Sequence, residues 1–156
     1  MHQTLTQEVA AAPSGTGPVR LGFDLVQISR IEDSVRHFGE AFEQRLFTPD
    51  ERAYAHDGTG VAAQRLAARF AAKEAVIKAL RLAEAGIDWR DIEVCRLPDG
   101  DCSIRLHGRA RELAQAQGAR AILVSLSHDG DYAGAVANVL GSSPTPTEHS
   151  SPPPQS

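Results

Sequence analysis

Long apolar runs are missing from this sequence. Charged residues interrupt every hydrophobic stretch well before the ~18–20 residues a membrane span requires, so no membrane partner is expected. Cysteine is scarce. Cys95 and Cys102 are too few for a structural zinc site without histidines placed nearby. They flank Pro98-Asp99-Gly100-Asp101; with Asp99-Gly100 as a two-residue hairpin loop, Leu97 rather than Cys95 stands opposite Cys102. A disulfide would then need a different register, and two free thiols are expected. An excess of basic residues is also missing. The formal net charge of −4 lacks the basic footprint of a general nucleic-acid binder, although a local basic face for a protein partner is compatible with it. No internal repeat is visible. Met1 to Pro18 carry neither a basic n-region nor a long apolar run, which is not the pattern of a signal peptide, so cytoplasmic residence is expected.

What is present fits one globular unit between two tails. With 42% hydrophobic and 23% charged residues in 156, the chain can bury a core without staples. Residues 1–18 are small and polar, and residues 141–156 hold five of the nine prolines. Neither segment has the apolar residues to offset ordering entropy, so both are expected to be disordered around a folded domain at 19–140.

Within that domain Val19, Leu21, Phe23 and Leu25 alternate, which predicts a strand that buries this face and carries Gly22 and Asp24 on the other. A helix is predicted from Ser29 to His37, stopped by Gly39. Thr48-Pro49-Asp50-Glu51 is a capping box with proline at the first helical position, opening another helix. The longest helical signal spans Val61 to Ala85. Leu66, Phe70, Ile77 and Leu80 share one side of it and alanines the opposite side, with Glu74, Lys78 and Arg81 on one flank and Arg65 and Arg69 on the other. Asp91–Leu97 and Cys102–Leu106 read as a hairpin, and Gly108–Gly118 as a short helix. Ala121–Ser127 and Tyr132–Val139 form a second hairpin around Asp129-Gly130. The fold class is α+β with mostly antiparallel pairing.

Asp24 and Glu74 are the residues most suited to chemistry. A hard cation such as Mg²⁺ takes oxygen ligands, typically one or two carboxylates plus waters and substrate phosphates. Spacing alone leaves a second reading open, in which Asp24 ends a strand and Glu74 pairs with Lys78 in the favourable i to i+4 order. His128 is open to two readings as well, a turn histidine bonded to backbone or a phosphate donor.

The combined pattern narrows these choices. Gly22-Phe23-Asp24, then Phe70, Lys73, Glu74 and Lys78 in one helix, with Thr48-Pro49-Asp50-Glu51 and Ser127-His128 in order, resembles the holo-acyl-carrier-protein synthase family, the small phosphopantetheinyl transferases. The resemblance covers about 19–140 and implies their fold, an antiparallel sheet packed against a long buried helix, in a homotrimer. It implies that Asp24 and Glu74 hold Mg²⁺ and that Lys78 contacts the phosphates of coenzyme A, these three being the catalytic set. His128 would donate to a coenzyme A phosphate and Arg69 would serve the 3′-phosphate, to which a planar guanidinium is suited. Arg30, and less directly Arg36 and Arg45, would meet the acidic helix of an acyl carrier protein of fatty-acid, polyketide or peptide synthase type. As plain residues, Arg36, Arg45 and Arg69 read equally as solvated charges. The implied reaction is attack by a carrier serine on the β-phosphate of coenzyme A, releasing adenosine 3′,5′-bisphosphate.

The sequence departs from the family pattern at several points, among them Arg81-Leu82-Ala83-Glu84-Ala85-Gly86, where a glycine-rich stretch is frequent. Val26 stands where larger members carry a third acid, and Gln27 where glutamate is frequent. His37, His56 and His107 show no partner pattern, so structural or surface roles are expected. Two other functions are weighed: a non-catalytic module that binds carriers or nucleotides, against which the intact Asp24, Glu74, Lys78 and His128 argue, and a nucleotide hydrolase, for which no second acidic cluster supplies a base.

Overall fold

The computed structural model describes residues 20–141. The expected tails lie outside these residues, apart from Gly141, which ends the last strand. In chain order the elements are β1 (Arg20–Gln27), α1 (Ile28–Phe38), α2 (Glu40–Leu46), α3 (Pro49–His56), α4 (Ala62–Leu80), a 3₁₀ turn (Trp89–Asp91), β2 (Ile92–Arg96), β3 (Cys102–Leu106), α5 (Gly108–Ala116), β4 (Ala119–Asp129) and β5 (Tyr132–Gly141). An antiparallel sheet in the order β1-β5-β4 packs against α4, and β2 and β3 form a separate two-stranded ribbon. This is the expected α+β arrangement.

α4 is the spine. Its alanines Ala71, Ala72, Ala75 and Ala79 are buried against Ala135, Ala137 and Val139 of β5, so helix and sheet approach closely. The helix ends at Leu80, five residues before the end of its sequence signal. Arg81 adopts a left-handed conformation (φ 56°), and the amide of Leu82 bonds back to Ile77 O at 2.9 Å, which turns the chain and buries Leu82 in the core.

β1 corrects the expected orientation. The alternation is real, but the face carrying Gly22, Asp24 and Val26 is the one turned to α4. Leu21, Phe23 and Leu25 are 67%, 59% and 56% exposed. The reason lies in Gly22: a Cβ there would stand 1.8 Å from Ala75 O, so only glycine lets the strand cross the helix at this distance. Hydrophobicity gave the period correctly and the buried face wrongly, because a glycine packed on backbone has no side chain to register as apolar.

Three other differences are local. α2 was not foreseen; it follows directly from Gly39 (φ 60°), which ends one helix and starts the next. In the β2–β3 ribbon Arg96, not Leu97, stands opposite Cys102. Leu97 N bonds to Asp101 O at 2.7 Å across Pro98-Asp99-Gly100, a three-residue loop with Gly100 at φ 96°. The β4–β5 turn is centred on Gly130-Asp131, because Asp129 itself pairs with Tyr132.

Two polar devices join these elements. α1 has no side-chain cap of its own; Asp131 supplies one from the distant turn, accepting from Ser29 N at 2.9 Å and Ser29 Oγ at 2.6 Å. Lys73 is wholly buried and donates to Ile92 O (2.7 Å), Trp89 O (3.1 Å) and Glu51 Oε2 (2.8 Å). Glu51 also closes the predicted capping box of α3 and accepts from Val94 N at 2.8 Å. One buried ion pair thereby ties α3, α4 and β2 together and sets the rotation of α4.

Candidate functional site

Gly22 and Lys73 together determine where the next residues of their elements point. With β1 pressed onto α4 at Ala75 and Ala79, Asp24 lies beside the same helix. Lys78 Nζ reaches it, donating to Asp24 Oδ1 at 2.7 Å and to Phe23 O at 3.1 Å. The i to i+4 pairing of Glu74 with Lys78 is not what forms; among the described residues, the ion pair of Lys78 is with Asp24. Glu74 is half-buried on the same flank. Burial, and then the charge of Asp24, push its carboxyl above the usual range, only partly offset by Lys78. Two carboxylates from different elements thus lie near enough to influence one another, with Lys78 paired to Asp24.

Such a pair favours an added cation. Among the described residues no cluster of three or more His, Cys, Asp or Glu exists, so there is no complete protein cage. Two carboxylates fit a hard ion that takes its remaining oxygens from water and substrate phosphate.

A second centre lies further toward the start of α4. Tyr54 of α3 is surrounded by guanidinium groups: Arg69 at 4.0 Å from the ring centroid, Arg65 at 4.4 Å and Arg96 at 5.3 Å. Arg96 also donates to the Tyr54 hydroxyl at 2.8 Å. The arrangement is favourable because a ring face attracts cations, while the shared tyrosine holds three like charges near one another. Arg69 is 4% exposed; burial lowers its pKa, and its Nε has no hydrogen-bond partner. His128 lies within β4, paired with Ala133, rather than in a turn. The Gln64 side-chain nitrogen donates to His128 Nε2 at 2.8 Å. These groups line a pocket of about 340 Å³. His128 also borders a shallow depression on the exposed sheet face with Phe23, Leu25 and Tyr132.

The residues expected to meet a carrier divide. Arg30 is exposed on α1 and borders an apolar groove formed by Leu25, Ile31, Phe42 and Phe70. Arg36, on the same helix, is already held by Asp33 at 3.0 Å and Glu32 at 3.7 Å. Arg45 is exposed but belongs to α2, not to the first helix. His56 and His107 have structural partners, Glu43 at 2.8 Å and Glu93 at 2.7 Å.

Sequence reasoning missed Tyr54, Arg96 and Gln64. Arg65 and Arg69 were visible as an i, i+4 flank, but Tyr54 and Arg96 reach it only through the packing of α3 and the β2–β3 ribbon on α4.

Comparison with known proteins shows the family and the fold. Residues 20–137 match the 4′-phosphopantetheinyl transferase superfamily. The holo-acyl-carrier-protein synthase of Gloeobacter violaceus is 45% identical over 122 residues, 78% of this chain and 92% of that protein. That of Moorella thermoacetica is 46% identical over 123 residues, 78% of this chain and 93% of its own. Among solved structures, the Helicobacter pylori holo-acyl-carrier-protein synthase in complex with coenzyme A superposes with a TM-score of 0.67 at 31% identity, across 76% of this chain and 98% of that one. The Mycobacterium tuberculosis acyl carrier protein synthase gives 0.60 at 40% identity, across 78% and 96%. The chain belongs to the holo-acyl-carrier-protein synthase family of the 4′-phosphopantetheinyl transferase superfamily.

Proposed function

We propose that this chain transfers 4′-phosphopantetheine from coenzyme A to a serine of an apo acyl carrier protein, with Mg²⁺ held by Asp24 and Glu74. The observation that carries the reading is the glycine-permitted crossing of β1 over α4, which gathers Asp24, Glu74 and Lys78 in one place. Bound there, the metal would neutralise charge on the pyrophosphate oxygens and favour attack at the phosphorus.

The protein's own groups do the rest by position and charge, as phosphoryl transfer requires. Lys78, half-exposed and paired with Asp24, would offer its charge to the phosphate oxygens and the departing group. Arg69 has a buried Nε without a hydrogen-bond partner and would serve the 3′-phosphate, and His128 lines the same pocket. Arg69 and Glu74 both stand on α4, five residues apart and so on opposite flanks of the helix. The carrier would dock at Arg30 and the apolar groove beside it, with acidic residues facing the arginine. The exposed apolar face of the β1-β5-β4 sheet, with Leu21, Phe23, Leu25, Leu123 and Val136, is where copies would associate into the homotrimer. Among the described residues no helix is long and apolar enough to cross a membrane; the proposed location is the cytoplasm.

Release of adenosine 3′,5′-bisphosphate, followed by chromatography, tests the reading. Release is expected only with coenzyme A, carrier and Mg²⁺ together, and is expected to vanish in Glu74→Gln with the fold retained. Release without any carrier would indicate hydrolysis instead. Full turnover by Glu74→Gln would remove Glu74 from the metal site.

A further inference from the structure

The wall of the guanidinium pocket contains a thiol that the transfer reaction does not use. Cys102 opens β3 directly opposite Arg96, and both line the pocket with Arg65, Arg69 and His128. Facing residues on paired strands carry Cβ atoms about 4.5–5.5 Å apart, so the sulfur sits beside the cationic cluster. It is free and partly exposed. Cys95, paired with Ser103, lines a different hollow, in which Asp50, Glu51 and Glu93 stand against Arg69, Arg96 and Arg105. Strand alternation sends the two sulfurs to opposite faces, so they do not bond to each other.

Their surroundings differ in charge as well as direction. Burial, and then Glu93, push the Cys95 thiol up. Cys102 instead shares its pocket with Arg65, Arg69, Arg96 and His128, and no carboxylate is among the described residues that line it. A thiol beside cations in a partly open pocket is the setting in which thiolates react. An independent observation points to an anionic ligand in the same place, the buried Nε of Arg69 with no hydrogen-bond partner.

We propose that Cys102 is a thiol-exchange site for small disulfides bearing carboxylates, and that the resulting adduct closes the pocket to coenzyme A. The closing of the pocket rests on the placement of the coenzyme phosphate given above. In the exchange, the Cys102 thiolate attacks one sulfur of the reagent. The reagent's S–S bond breaks as the protein–S–S bond forms, and the other half leaves as a thiolate that takes up the proton given by Cys102. The disulfide is itself the oxidant, and a thiol reductant reverses the step. The retained carboxylate lies within reach of Arg69 and Arg96, where a coenzyme phosphate would otherwise sit.

The experiment treats the full chain with glutathione disulfide or with cationic cystamine, each rate normalised to its reaction with free cysteine, and follows intact mass and peptide maps. One glutathionyl group per chain is expected on Cys102, favoured over the cystamine adduct by about tenfold, or about 1.4 kcal/mol. Adenosine 3′,5′-bisphosphate slows it, and turnover falls with modification and returns with dithiothreitol. Cys95→Ser keeps the whole response; Cys102→Ser takes up no adduct and its own turnover is unmoved by the disulfide. Modification only at Cys95, or no preference for the anionic reagent, overturns the exchange site whatever the pocket binds. A Cys102 adduct that forms unhindered in saturating bisphosphate and leaves turnover intact overturns the closing of the pocket, and with it the placement of the coenzyme there.

Discussion

Substituting Gly22 by alanine tests the geometry on which the site depends. The added Cβ would meet Ala75 O at 1.8 Å, Ala75 C at 2.8 Å and Ala79 N at 2.9 Å. All three are backbone atoms of the buried helix, so no rotamer change relieves them. β1 must withdraw by roughly 1.5 Å to restore ordinary van der Waals spacing, carrying Asp24 away from Glu74 and Lys78. Overpacking of this kind costs about 1–3 kcal/mol, which for a domain of this size lowers Tm by roughly 5–15 °C. A misplacement on the order of 1 Å at a reacting centre costs about 100-fold in rate. Gly22→Ala is therefore expected to fold with a lower Tm, to turn over at least about 100-fold more slowly, and to require more Mg²⁺. Calorimetry and a carrier-loading assay across a Mg²⁺ series read these effects. Gly134→Ala is the control: its Cβ would meet only the flexible Leu25 Cδ1 closer than ordinary contact, at 3.3 Å, and near-wild-type turnover is expected. Wild-type turnover by Gly22→Ala would refute the reasoning.

Other perturbations reach other parts of the account. Lys73→Met strands the buried Glu51 carboxylate and two backbone carbonyls, and is expected to cost about 3–5 kcal/mol in denaturant unfolding; adding Glu51→Gln should restore part of it. Arg30→Glu should raise KM for the carrier by roughly tenfold or more at low salt while leaving KM for coenzyme A unchanged. Asp88 accepts from the Arg90 side chain at 2.7 and 3.0 Å, and these bonds hold its carboxyl down at about 2. Since the folded value lies below the ordinary one, this stabilisation is present above the usual carboxylate range and disappears as pH falls through about 2. Carboxyl NMR should show that midpoint, and Arg90→Gln should return it toward the ordinary range.

Much of the site was legible because its signals are local. Thr48 to Glu51 encode a cap within four residues, and Glu74 and Lys78 share a flank by helical period alone. Asp24 was singled out only by the combined pattern of Gly22-Phe23-Asp24 with the α4 residues and Ser127-His128, and the role of the glycine was not visible. It acts through Ala75, 53 positions away, and no strand period reports a contact with another element's backbone. The same limitation hid Tyr54 and Arg96, which join Arg69 only after three elements pack. It also hid the termination of α4, where Arg81 takes a left-handed conformation that glycine more commonly occupies. The exposed apolar face of β1 is the complementary case, since an apolar alternation reports burial without saying whether the chain or a second copy provides it.

The most direct measurement is the intact mass of an apo acyl carrier protein after incubation with this protein, coenzyme A and Mg²⁺. A gain of one phosphopantetheine on the carrier, abolished by chelation and restored by added Mg²⁺, is the predicted result. A carrier of unchanged mass, across fatty-acid, polyketide and peptide synthase types and with folded protein present, would contradict the account.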